Sequence, residues 1–271
     1  MSDCIAVTPE ERVFFYEQPG NGVLDPALFT TTKLPTTLEI GDEEFTSSLL
    51  ISIASVYLFR FIKLEAEPEV IFKLALKIAN TYSDDPEIDY TENWRHNSKV
   101  LLSYVRGLDD DSIVSTVRLA GFNSYYSDVD AGIESVNVGA KSMNDIRDLF
   151  ERICDFSDLV GLVNDASELD FSKVRADCVF INVVDRHFVA GDTFWHIKAF
   201  RPGEGLNKVE TLELLVFYLF GLRSDKNKEL FKDIKKLGIF DARTNTTFVI
   251  NVSDIPKSAI DEASQKVIGF K

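Results

Sequence analysis

From Asp42 to about Val163 the apolar positions recur at three- and four-residue steps, the spacing of one face of a helix. Five helices are predicted. "GDEEFTSSLLISIASVYLFRFIKL" opens on acidic residues, which suit a helix N-terminus. "PEVIFKLALKIANTY" is the second, with Pro68 in its first turn. "ENWRHNSKVLLSYVRGL" is the third, closed by Gly107, and "DDDSIVSTVRLAGF" the fourth, stopped by Gly121. "SMNDIRDLFERICDFSDLVGLV" is the fifth, with Ser142 as N-cap and Asp145 three residues on.

After about Ser167 the period changes. "KVRADCVFINVV" and "DTFWHIKAF" are rich in β-branched and aromatic residues and predict strands. "NKVETLELLVFYLFGL" is a strongly apolar helix. "KKLGIFDARTNTTFVINV" predicts two strands around a turn at "DARTN". "DIPKSAIDEASQKVIGF" closes as a helix capped by Asp254. Near the start, "RVFFYEQ" predicts one more strand, followed by turn chemistry at "PGNG". The expected architecture is α/β (α+β): a mainly helical region over 1–140, packed on a mixed-sheet core over 141–271.

Composition narrows the function classes. Hydrophobic residues make up 45 % of 271, with 21 phenylalanines, enough for a sizeable core. The net charge of −15 disfavours a broad nucleic-acid surface, because such binding rests on Lys and Arg neutralising phosphates. A small basic groove is still compatible with it. The longest basic stretch, "RSDKNKELFKDIKK", is best explained as a solvated helix face. Three cysteines, Cys4, Cys154 and Cys178, without a CxxC pair predict reduced thiols in a cytoplasmic protein. The opening "MSDCIAVTPEERVFF" has no signal-peptide pattern. "SSLLISIASVYLFRFI" is short for a membrane span and is interrupted by Arg60, so a buried core helix is expected.

Candidate chemistry concentrates in "VDRHFVAGDTFWHIKAF", Val184 to Phe200. A two-residue turn at Gly191-Asp192 would set His187 opposite His196 and Asp185 opposite Lys198. All four side chains then share one face, with opposed Cβ atoms about 4.5–5.5 Å apart. Two imidazoles in that arrangement can share a metal; they can equally be neighbours beside an Asp185–Lys198 ion pair. A slip of one residue in register would separate them. No Gly-rich phosphate loop, GxSxG or HExxH accompanies them.

"DRHFVAGDTFWHIK" resembles the catalytic hairpin of a group of bacterial proteins with a PD-(D/E)XK nuclease-like fold, whose segment is similar to GDGDFLTEDTLWDFK. Asp185 falls on its first Asp, Phe188 on Phe, Asp192-Thr193 on Asp-Thr, Trp195 on Trp and Lys198 on Lys. "ETLELLVFYLFGL" resembles the group's following helix, and "IKKLGIFDARTNTTFVINVSDIP" with "KVIGF" its closing strands and helix. Upstream, "VRGLDDDSIVSTVRLAGF" and "MNDIRDLFERICDF" are also similar, so the resemblance extends from about Phe45 to the end. It implies two carboxylates holding Mg²⁺ and a lysine steadying the attacking water or the developing charge.

This chain departs at both carboxylates: His187 and His196 stand there, and only Lys198 remains. Imidazole is a poor ligand for Mg²⁺. The helix pattern Gln-x-x-x-Tyr is replaced by Glu213 and Phe217. Two expectations follow. The favoured one is a degenerate, inactive nuclease-like protein of bacterial or phage origin that acts by binding, regulation or assembly, with a protein partner, or with nucleic acid through a local groove. The other is a rebuilt site in which His187, His196 and Glu213 hold Zn²⁺, Mn²⁺ or Fe²⁺ and hydrolyse phosphodiesters, with Lys198 and Asp185 as the catalytic pair. Glu210, one helical turn earlier, is an alternative ligand to Glu213, and Asp177 a weaker contributor.

Overall fold

The computed structural model describes residues 24–36, 40, 48–82, 94–124, 136–162, 186–199 and 205–264. The stretches expected to be strands at "RVFFYEQ" and "KVRADCVFINVV", the turn at "PGNG", and Asp177, Asp185, Cys4 and Cys178 lie outside them, as does the acidic start at Asp42. Helices α1 (Ser48–Ile62), α2 (Pro68–Ile71), α3 (Lys73–Tyr82), α4 (Trp94–Tyr104), α5 (Asp110–Ser124) and α6 (Ala140–Val160) precede the candidate hairpin. After it come α7 (Lys208–Arg223), α8 (Lys228–Lys232) and α9 (Lys257–Glu262). The strands are β1 (Thr30–Lys33), β2 (His187–Ala190), β3 (Thr193–Lys198), β4 (Lys236–Asp241) and β5 (Thr246–Asn251). They form one mixed sheet in the order β1-β5-β4-β3-β2, in which only β3 and β4 run parallel.

Side chains alternate across this sheet and feed two cores. Phe188, Trp195, Ile197 and Phe240 face the helices of the first half. There Phe156 of α6 stacks on Phe240 at 4.0 Å and meets Trp195 edge-on at 4.9 Å, while Phe59 of α1 meets Phe188. Ser52 of α1 accepts a hydrogen bond from the Ala199 backbone at 3.0 Å. Phe194, Leu237, Ile239 and Ile250 face the other way, under α7 and Phe231 of α8. The crossover from β3 through α7 to β4 supplies that second layer, as a parallel pair requires. Gly238 is where a close approach demands glycine: a Cβ there would sit 2.4 Å from the Trp195 ring.

Helix ends depart from the sequence expectation where tertiary contacts overrule local signals. The helix expected over Pro68–Tyr82 is broken at Phe72, whose ring is buried edge-on against Tyr57 of α1 at 5.0 Å. The third helix stops at Tyr104, before Gly107, because Ser112 of the next helix accepts the Arg106 N–H at 2.9 Å. Helix α5 passes through Gly121 to Ser124, carried by buried Leu119, Ala120 and Phe122. Gly139, not Ser142, caps α6; Ser142 is buried in the first turn and Asp145 pairs with Lys141 at 3.1 Å. Asp254 closes a 3-10 turn with Asn251 (2.7 Å), and α9 starts after Pro256. The basic stretch is not one solvated face: it spans the end of α7, α8 and the start of β4, with Phe231 and Ile234 buried.

The apolar run around Arg60 is a buried helix, and Arg60 is itself 1 % exposed. No helix among the described residues is long and apolar enough to cross a membrane.

Candidate metal centre

Gly191 adopts φ 59° and Asp192 does not share the left-handed region, so the hairpin turns with glycine in its first central position. Asp192 fixes the turn to the next strand: its carbonyl accepts the N–H groups of Lys235 (2.8 Å) and Lys236 (3.1 Å). The resulting register sets His187 opposite His196, as the sequence expects, and Ala190 opposite Thr193. Both imidazoles lie on the α7 face with Phe194, and neither is exposed. Their ring centroids are 4.4 Å apart; His187 also stacks on Phe194 at 5.3 Å and meets Phe217 of α7 at 4.2 Å.

Glu213 completes the group from above. Asn207 caps α7 by accepting the N–H groups of Val209 and Glu210 at 2.9 and 3.1 Å, which orients the helix over the hairpin. One ligand atom each from His187, His196 and Glu213 then fall within 4.8 Å of one another. Both ring nitrogens of His196 are buried without a hydrogen-bond partner. A neutral imidazole has one donor and one acceptor to satisfy, so leaving both bare in a dry core is costly.

Two cations flank the pair. Arg186 approaches Glu213 at 3.9 Å, and Lys198 forms an ion pair with Glu210. The second oxygen of Glu210, Oε2, is buried and accepts no hydrogen bond. Asp241 ends β4 beside Lys198 in the parallel register; its carboxylate accepts the Arg243 N–H at 3.1 Å and the Thr244 hydroxyl.

Burial holds His196 well below its ordinary pKa, and the nearby His187, Arg186 and Lys198 act in the same direction, so the ring is neutral and able to bind metal. Removal from water pushes the Glu213 carboxyl up; Arg186 opposes this, Glu210 adds to it, and Lys198 opposes it. A cation between the three would favour the ionised carboxylate.

Of the residues expected to form a site, the structure brings together His187, His196, Lys198 and Glu213, with Glu210 on Lys198 rather than in place of Glu213. Asp185 lies outside the described residues. Cys154, outside the expected site, is a half-buried thiol near Lys63, and the third histidine, His96, is exposed on α4. Sequence reasoning missed Arg186 and Asp241. Arg186 adjoins His187, but its reach to Glu213 depends on where α7 lies; Asp241 becomes a neighbour only through the parallel pairing of β3 and β4. Two nitrogens and one carboxylate oxygen suit Zn²⁺, Mn²⁺ or Fe²⁺ better than Mg²⁺. No protein-family model, curated protein or solved structure matches this chain.

Proposed function

We propose that this protein is a degenerate PD-(D/E)XK nuclease-like scaffold that holds a transition-metal ion at His187, His196 and Glu213 and acts by binding a protein partner, without cleaving phosphodiesters. The observation that carries the metal reading is His196: a fully buried ring with two unsatisfied nitrogens beside a second imidazole and a carboxylate. An ion at about 2.0–2.2 Å from each ligand would draw these atoms inward and take up the acceptor nitrogen of His196.

The nuclease-like reading is supported by the order of elements after the hairpin: the long helix α7, the short α8, then two strands, where the resemblance implies a helix followed by strands. Loss of hydrolysis is supported by enclosure. A hydrolytic metal needs an open position that water and substrate can reach. Here both imidazoles have no exposure, and Lys198 is engaged by Glu210. The net charge of −15 favours a protein over nucleic acid as partner.

Metal analysis of protein purified without chelator is the direct test. About one equivalent of Zn²⁺, Mn²⁺ or Fe²⁺, lost in His196→Ala, is expected. No bound metal, together with no thermal shift on adding any of the three, would overturn the metal reading. Cleavage of DNA or RNA with Mg²⁺ or Mn²⁺ that disappears in Lys198→Ala would overturn the non-hydrolytic one.

A further inference from the structure

The pair Lys198–Glu210 lies one helical turn along α7 from Glu213 and one pleat along β3 from His196. It therefore borders the three-ligand group directly. Glu210 is 7 % exposed; Lys198 holds one of its oxygens, and the other, Oε2, is buried with no hydrogen-bond partner. A half-satisfied carboxylate in a dry layer needs a cation or a donor on its second oxygen. Ligating carboxylates are commonly held in this way, with one oxygen on a protein donor and the other on the metal.

We propose that Glu210 is the fourth ligand of the metal held by His187, His196 and Glu213, and that Lys198 is the positioning residue that orients it. This rests on the three-ligand reading and makes that centre closed. Glu210 lies outside the three groups whose atoms already fall within 4.8 Å, so metal binding turns its carboxylate inward about the terminal torsions, which are soft. The donor set becomes two imidazole nitrogens and two carboxylate oxygens, with no position left for water. Such four-coordinate, water-free sites are structural ones. The lysine of the nuclease pattern then acts from behind a metal ligand, which gives its retention a use without hydrolysis.

Cobalt substitution reads this directly, because four-coordinate Co²⁺ absorbs visible light several-fold more strongly than five- or six-coordinate Co²⁺. The full chain, stripped and titrated with Co²⁺, is expected to give the intense four-coordinate spectrum, unchanged between about pH 6 and 9 because no bound water is there to ionise. Glu210→Gln removes a ligand and is expected to retain Co²⁺ at more than about 100-fold lower affinity, with a spectrum that changes near neutral pH as the water taking its place ionises. Lys198→Met removes only the partner behind the ligand and should lower affinity about 10- to 100-fold while keeping the pH-independent four-coordinate spectrum. If wild type binds Co²⁺ but gives a weak spectrum, or Glu210→Gln leaves spectrum and affinity unchanged, Glu210 is not a ligand while the three-residue centre stands. If wild type binds no Co²⁺, both readings fall. Because three ligands and a water are also four-coordinate, the pH dependence of the wild-type spectrum decides: a spectrum that titrates near neutrality would overturn Glu210 as a ligand even should the variant misfold.

Discussion

Two changes relieve the bare nitrogens of His196: a metal, which takes up one of them, or replacement by hydrocarbon, which removes both. Leucine removes both unsatisfied atoms at a comparable volume, which is close to neutral or stabilising where a buried polar group has no partner. In chelator, His196→Leu is expected to melt about 2–4 °C above wild type, the shift for about 1 kcal/mol in a chain of this size. With Zn²⁺ added the order reverses, since only wild type gains linkage, about 2.7 kcal/mol at 100 Kd. A variant that melts well below wild type in chelator would mean that the imidazole makes hydrogen bonds in solution that offset its burial. Cys154 shows a different consequence of burial, which pushes its thiol up to about 11. Lys63 opposes this, whereas Asp158, Asp155 and Glu151 add to it. The reactive thiolate is then scarce at pH 8, about 100-fold less abundant than for an ordinary cysteine. Iodoacetamide labelling followed by peptide mass spectrometry should find Cys154 modified slowly in the folded protein, faster as pH rises toward 11, and rapidly after unfolding. Rapid labelling at pH 8 in the folded state would contradict that environment. Of the site, the histidine pairing was legible because Gly191-Asp192 fixes register within one hairpin. The Lys198–Glu210 and Arg186–Glu213 pairs were not, because they depend on where α7 settles over the sheet.

At the scale of elements, the strongest local signals misled most often. Gly121 and Gly107 read as stops and Ser142 as a cap, yet the buried faces of α5 and α6 and the Ser112 hydroxyl decided those ends. Strand β1, Thr30–Lys33, has an exposed residue at every position and no alternation of apolar residues to announce it; only pairing with β5 makes it a strand. The long apolar runs of α1 and α7 and the "DARTN" turn were legible because length, period and turn chemistry agree there. Two glycines inside elements test how packing overrules propensity. Gly221 lies within α7, where alanine normally improves a helix by about 0.5–1 kcal/mol. A Cβ at this position would stand 2.1 Å from the Phe231 ring of α8. Gly221→Ala is therefore expected to destabilise, by about 1–3 kcal/mol, as overpacked core sites do. Gly238→Ala should behave alike through Trp195. Urea denaturation measures both; a rise in the midpoint for Gly221→Ala would show that α8 can retreat without loss.

At the scale of the molecule, the two regions separated by sequence at 140/141 share their cores. One apolar cluster joins α1, α5 and α6 to Phe188, Trp195 and Phe240 of the sheet. Leu24, which is fully buried, belongs to the other cluster, and its carbonyl accepts the Thr211 hydroxyl of α7 at 2.6 Å. β1 extends the sheet from the first region, and Asn245 of the β4–β5 turn donates to the Pro35 carbonyl at 2.9 Å. Arg152 of α6, buried, donates to the Ala242 and Arg243 carbonyls of that same turn. A fragment of residues 141–271 would carry the metal residues but uncover Phe188, which Phe59 of α1 meets edge-on, and the buried face of α6 that packs against α1. We expect it to lack a cooperative thermal transition, to bind ANS and to lose near-ultraviolet circular dichroism, while the full chain unfolds in one step. The metal separates this from a simple failure of stability: if packing of the first region positions the hairpin under α7, saturating Zn²⁺ should not restore cooperative melting to the fragment. A fragment that melts cooperatively, with or without Zn²⁺, would make 141–271 an autonomous domain and leave the helical region as an accessory to it.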